Sequence, residues 1–378
     1  MIIYLVYFAA SAFFAYLALK APDQRRRIVF SLVSIGIMVF LAGMRSMHIG
    51  IDVANYHKLA RYWGEATRKE SLWAYLRYYK TTGYGEPLFA LFIGTIGQLT
   101  GNYQVFLTLS HLIIISGVYI GAYRQREHVN PVLVLVLFYL FFFSHSLNII
   151  RQYMAMAMIF AVFADIPQGK YLRYSLVVAT AAMIHTTALI GFLPLIFYFV
   201  LYGNYRLPGK NGKFVPAMKT RVIMILSVVF VVVWGFLPVA RLLLKLGVLP
   251  AKYDYYLFPE QLTPAFIVMG LLVMELCVVY WRRAKMAARS PYFLFLAVCT
   301  VSYLFLQQLT GLVEYGKRIA AYLSLNNLLT IALIESSCKT KREKLVIGGG
   351  ILAVALFYWF YMYILRNASQ TFPYAFIQ

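Results

Sequence analysis

Acidic side chains are scarce in this chain, 13 against 35 lysines and arginines in 378 residues, so the few polar groups set beside apolar runs stand out. Arg45 and Asp52 lie in "RSMHIGIDVANY" and Glu86 opens "EPLFALFIG". Asn148, Arg151 and Gln152 share "SLNIIRQYMAMAM", His185 interrupts "AAMIHTTALIG", and Glu314, Lys317 and Arg318 fall in "GLVEYGKRIAAY". A guanidinium gives a planar, bidentate hold on an oxyanion, and a carboxylate or imidazole beside a hydroxyl can take its proton. Asn148, Arg151, Gln152 and Ala155 follow i, i+3, i+4, i+7 spacing, which predicts one helical face carrying the arginine. Ionisable groups are costly near hydrocarbon and face a bundle interior or a watered cavity, so the set sketches a polar cavity on the outer side.

Each group also has an architectural reading. Arg45 and Lys317 could snorkel to an interface. Arg151 could serve a structural ion pair, and His185 could be a satisfied packing residue. Asp52 could form a turn beside its glycine. Glu86, before Pro87, could be a carboxylate favoured by a helix N-terminus.

The elements that must position these residues are membrane helices. Hydrophobic residues make up 62% of the chain and aromatic ones 17%, more than one soluble domain of this length can bury. Apolar stretches near 2–19, 28–44, 87–101, 104–121, 131–147, 152–166, 221–240, 264–281, 291–308, 319–335 and 345–364 predict an all-α, polytopic integral membrane bundle forming a single transmembrane domain over 1–378. "VIMILSVVFVVVWGFL" has none of the alternation of a β-barrel strand. The first segment lacks a basic leader and runs into "KAPDQRRR", which predicts a retained helix. Cys277, Cys299 and Cys338 show no CxxC spacing, so neither disulfide nor metal is expected.

The net charge of +22 is parcelled into short loops between apolar runs, the positive-inside pattern rather than a nucleic-acid footprint. It places 20–27, 204–221, 282–290 and 338–344 in the cytoplasm, with 122–130 and 167–173 beside them, and 45–86 and 241–263 outside as long and second outer loops. Leu59, Tyr62, Trp63, Leu72, Tyr75, Leu76 and Tyr79 predict amphipathic helices lying in the interface, unless the aromatics of 45–86 are only an interfacial belt. The segment 172–202 predicts two short helices with His185 near the tip between them. Three apolar stretches between 27 and 122 break the parity of crossings, so either one is re-entrant or loop 122–130 faces outward.

"RSMHIGIDVANY", "NIIRQYMAMAM", "MIHTTALIG", "YGKRIAAY" and the terminal "FPY", in that order along the whole chain, resemble the EpsG family of Wzy-like polysaccharide polymerases. The resemblance implies a GT-C-like bundle in a bacterial inner membrane, its site facing the periplasm or cell exterior, that joins undecaprenyl-diphosphate-linked oligosaccharide repeats. Donor and acceptor are both lipid-linked, the bilayer is the solvent, and a chain-length regulator and a flippase are expected partners; nucleic acid is not. Arg151 would stabilise the departing diphosphate, with Arg45 and Arg318 helping, and Asp52, preferred over His185, would receive the acceptor proton. Tyr56, Glu86, Asn148, Gln152, Lys317 and Tyr322 complete the substrate-binding set. No D-x-D cluster appears, so no metal or other cofactor is implied. The alternatives are a ligase or single-sugar GT-C transferase, with the same leaving group, and a lipid-oligosaccharide flippase or transporter, whose usual internal repeats are not visible.

Overall fold

A computed structural model describes residues 1–51, 53, 77, 86–204, 206–209, 212–248, 291–311 and 316–377. Asp52, Tyr56, Glu314, the expected amphipathic helices of 45–86 and most of 241–263 lie outside the described residues. Apart from a hairpin of β1 (Leu207–Gly209) and β2 (Gly212–Phe214), the regular structure among the described residues is helical. Six helices are long and apolar enough to cross a membrane: Ile2–Lys20, Gln24–Gly43, Tyr103–Arg124, Met218–Lys245, Arg318–Ser336 and Lys341–Leu365. The protein is an all-α polytopic membrane protein, as its hydropathy predicts. It divides into two units, residues 1–165, 172–189 and 335–378 in one, and 166–171 and 190–334 in the other.

The first unit holds α1 (Ile2–Lys20), α2 (Gln24–Gly43), α3 (Pro87–Leu99), α4 (Tyr103–Arg124), α5 (Pro131–Phe138), α6 (Ile150–Ala161), α7 (Tyr171–Ala182, entered at Tyr171 from the other unit) and α12 (Lys341–Trp359). Short polar residues start these helices by accepting from backbone N–H groups that the first turn leaves unpaired. Asp23 accepts from Arg26, Asn102 from Gln104, Asn130 from Val132, and Thr340 from Glu343.

In a bilayer the driving force for helix association is close packing and buried polar contact rather than escape from water. Both occur here. A Cβ on Gly117 of α4 would stand 2.7 Å from the Ala157 carbonyl oxygen of α6, and one on Gly121 would strike Phe160, so the G-x-x-x-G spacing lets the two backbones touch. Ser11 of α1 and Ser34 of α2 each donate to the other's carbonyl, at 2.9 and 2.8 Å, and Ser11 meets the Tyr139 hydroxyl at 2.8 Å.

Two departures from the expected layout bear on the site. Beyond α5 a π-helical turn (Tyr139–Phe143) and Ser144–Ser146 carry the helix on, but Leu147 to Ile149 are non-helical before α6 begins. Asn148 therefore does not share a helical face with Arg151, contrary to the spacing. And α3, at 13 residues, is about 20 Å long at 1.5 Å per residue, short of the roughly 30 Å hydrocarbon layer. It is the short element among the three stretches whose parity failed. Its Phe89 and Phe92 both pack on Phe106, in the first turn of α4.

The chain's end is woven into this unit. Ser46 N–H donates to Ala375 and Ile377 N–H to Met44, both at 2.9 Å, making a bridge between Arg45 and Phe376. Tyr4 donates to the Thr371 carbonyl at 2.6 Å and Tyr374 to that of Leu41 at 2.5 Å.

The second unit contains α8 (Phe192–Tyr202), the hairpin, α9 (Met218–Lys245), α10 (Pro291–Gln307) and α11 (Gly316–Ser336). Arg221, buried at the start of α9, donates to the carbonyls of Leu201, Gly203 and Pro216, which places its charge on the negative end of α8. Thr300 of α10 and Thr330 of α11 hydrogen-bond at 2.9 Å.

Candidate functional site

Three residues from distant parts of the sequence meet in the first unit. Glu86 sits before α3 with Pro87 in the first helical position, where Pro costs no hydrogen bond and the helix dipole favours a carboxylate. Arg151 is in the first turn of α6. His185 follows the end of α7, its N–H donating to Ala181 at 2.9 Å, and a 3-10 turn (Thr186–Gly191) resumes at once. The break between two short helices falls at His185, where the sequence predicts it.

Glu86 is the hub. One carboxylate oxygen accepts from His185 Nδ1 at 2.7 Å and from the Thr186 N–H at 3.3 Å. The other pairs with Arg151 Nη1. Leu88 N–H donates to the Met183 carbonyl at 3.0 Å, which ties the start of α3 to the end of α7 and fixes the spacing between carboxylate and imidazole. The Arg151 guanidinium carbon lies 5.2 Å from the centre of the Phe89 ring, a cation-π seat that orients its plane. Burial opposes ionisation of Glu86, but the hydrogen bond from His185, the charge of Arg151 and the Thr186 N–H outweigh it and hold the carboxyl below its ordinary value.

An ionised carboxylate only accepts hydrogen bonds, so Nδ1 of a neutral His185 must carry the proton facing it. That leaves Nε2 with its lone pair. The residue is 8% exposed, and Nε2 is buried with no hydrogen-bond partner among the described residues. The side chain of Arg151 is 29% exposed against 10% for Glu86. The cluster thus offers a proton acceptor and a guanidinium side by side, both anchored to one carboxylate.

The other sequence candidates fall elsewhere. Arg45 is fully enclosed: it donates to the carbonyls of Ala42 and Leu147 at 2.8 Å each, lies 3.5 Å from His111, and does not snorkel. Its surroundings make it a bolt between α2, the Leu147 turn and the C-terminal segment rather than an open anion hook. Burial lowers its pKa to about 10. Asn148 is likewise buried, accepting from Ile51 N–H at 2.7 Å and donating to the Ser369 carbonyl at 2.8 Å. Gly50, at φ +109°, is required there, because a Cβ would strike the Asn148 amide oxygen. Asn148 and Gly50 fix the backbone up to the residue before Asp52, which with Tyr56 lies outside the described residues. Gln152 is buried on α6. Lys317, Arg318 and Tyr322 belong to the second unit, at the start of α11, with Arg318 half-buried, Tyr322 buried, and the two spaced one helical turn apart.

Sequence reasoning missed a second ion cluster. Asp165, fully buried after the end of α6, is held by Arg124 and by a two-pronged contact from Arg173, and Arg124 also donates to the Ala161 carbonyl at 2.9 Å. The signal was a single acid, "FADIPQGK", among basic residues.

A family model described as the EpsG family matches residues 28–376, nearly the whole chain, covering the Glu86, Arg151 and His185 cluster and most of the C-terminal weave. No curated protein and no solved structure matches the chain.

Proposed function

The chain belongs to the EpsG family, and on that premise we propose that it is a Wzy-like polysaccharide polymerase, a GT-C-like glycosyltransferase joining undecaprenyl-diphosphate-linked oligosaccharide repeats at the periplasmic face of a bacterial inner membrane. The observation that carries the chemistry is the Nε2 of His185, without a partner among the described residues, beside Arg151, both set by Glu86. The bond between the donor's anomeric carbon and the diphosphate oxygen breaks, and undecaprenyl diphosphate leaves with the bonding pair. Arg151 stabilises the charge that develops on it. The acceptor sugar hydroxyl attacks the anomeric carbon and passes its proton to His185 Nε2, and the carboxylate of Glu86 stabilises the imidazolium so formed. This reading assigns the base to His185 in place of Asp52, on the strength of the Glu86 contact.

The test uses purified protein in proteoliposomes, supplied with undecaprenyl-diphosphate repeat units and no nucleotide sugar. A ladder of longer lipid-linked chains is expected, because the donor bond already carries the free energy. Units that cross the bilayer without lengthening would show a flippase, and transfer of a finished chain to a non-repeat acceptor would show a ligase.

A further inference from the structure

We infer that the cleft beside the C-terminal weave of the first unit binds the uncharged sugar chain of the substrate, apart from the Glu86, Arg151 and His185 cluster. The inference rests on the polymerase reading and extends it to the part of the substrate that does not react. The cleft is about 1130 Å³ and runs between residues 46–49, 101–104 and 367–377, a little above the roughly 300–1,000 Å³ of ordinary ligand pockets. Among the described residues its lining holds no lysine, arginine, aspartate or glutamate, and one histidine, His48, although the chain carries 35 basic residues. What the described walls supply is amides, from Asn102, Gln104 and Gln370, and an exposed ring, from Phe376. That is the chemistry that recognises an oligosaccharide: hydroxyls meet amide donors and acceptors, and the apolar face of a pyranose lies on an aromatic ring.

Two further observations point to a ligand. Gln104 is 9% exposed; its Nε2 donates to the Arg45 carbonyl at 3.0 Å, which leaves its buried Oε1 in the wall without a partner among the described residues. A sugar hydroxyl would satisfy it. Gln370 is held at φ +48°, a conformation that glycine or asparagine takes readily and glutamine does not. It is fixed there by its N–H to Asn367 and its carbonyl to Gly50, both at 2.9 Å, while its side chain stays exposed on the cleft. A row of packed rings runs from the cleft wall to the reacting groups. Tyr103 stacks on Phe106 at 5.8 Å, Phe106 meets Phe89 at 6.2 Å, and Phe89 carries the Arg151 guanidinium.

The experiment measures binding of oligosaccharide fragments, made by partial hydrolysis of the host's own polysaccharide and free of lipid and phosphate, to the detergent-purified full chain. Fragments of two or more repeats are expected to bind, and neither inorganic pyrophosphate nor His185→Gln should affect them. Gln370→Gly relieves the backbone and so should leave the melting temperature level or raised while weakening fragment binding at least tenfold. His48→Trp, at an exposed residue of the wall, should block the cleft to the same extent. Fragments binding both variants as tightly as the parent, or displaced by pyrophosphate, would overturn the inference. If the parent still extends lipid-linked repeats in that case, the polymerase reading stands without the cleft. If it neither extends repeats nor binds fragments, both are overturned together.

Discussion

The two ends of α6 carry ion clusters built from the same kinds of group, and they differ in what they leave unsatisfied. A helix favours acids at its start and bases at its end, by about 0.3–1 kcal/mol each; α6 has Arg151 in its first turn and Asp165 just past its last. Both signs are wrong for the helix, so neither charge is there to stabilise it. At the Asp165 end one fully buried carboxylate takes two guanidiniums, and every oxygen is used. At the Arg151 end one carboxylate is divided between a guanidinium and an imidazole, and the far nitrogen of the imidazole has no partner among the described residues. A saturated cluster is a fastening. An unsaturated one, buried at a cost that a substrate hydroxyl would remove, is what the proposed reaction requires.

The largest effect should come from the unsaturated end. Glu86→Gln frees the imidazole to turn and removes the charge that stabilises its protonated form, and His185→Gln removes the acceptor altogether. Each should lower chain extension by about 10²–10⁴-fold, measured on repeat units with equal amounts of membrane-inserted protein. Arg151→Lys keeps the charge but loses the planar fork and the seat on Phe89, and should come close to these. Normal extension by His185→Gln together with loss in Asp52→Asn would return the base to Asp52.

Asp165→Asn should do the reverse, costing stability rather than turnover. Removing one partner of a buried pair costs roughly 3–5 kcal/mol, and because Arg173 is about half exposed the lower end, about 3 kcal/mol, applies. The pH dependence has a definite sign. Burial opposes the Asp165 carboxylate, but Arg173 and Arg124 outweigh it and hold the carboxyl below its usual value. Its stabilisation is therefore complete above the unfolded value of about 3.9 and is lost as pH falls through the folded one. The melting temperature of the purified parent should stay level from pH 8 to about 5 as far as this group is concerned and fall only in stronger acid. Asp165→Asn should melt lower throughout, with a shallower acid limb.

Much of this architecture was legible because hydrocarbon allows so few solutions. The six long helices and the break at His185 follow from apolar runs and their interruptions. The grouping of site residues was only partly legible. Arg151 and His185 were visible as costly groups in apolar runs, but their meeting at Glu86 depends on the helix stopping at Leu147 and on the Leu88 to Met183 hydrogen bond, neither of which has a periodic signature. Asn148 looked like a neighbour of Arg151 because i, i+3 spacing presumes an unbroken helix. Arg45 looked like an anion hook because sequence cannot show that the chain's last dozen residues return to cover it. Asp165 was passed over because a lone acid near a basic loop resembles a solvated one until its burial is known.

The smallest expected effect lies within the saturated cluster and tests the distinction most finely. Arg173 has 52% of its side chain exposed and Arg124 has 23%, facing a carboxylate with none. Arg124 also caps α6 by donating to the Ala161 carbonyl, a favourable place for a cation at a helix C-terminus. Arg173→Ala therefore leaves Asp165 with a partner and loses only a screened contact, about 0.5–1 kcal/mol, with chain extension unchanged and a loss of stability that shrinks as salt is raised. Arg124→Ala should cost more, since it removes a cap and the better-shielded charge together. If Arg173→Ala instead stopped chain extension without moving the melting temperature, the cluster at the end of α6 would be more than a fastening, and the division between a saturated and an unsaturated end would fail.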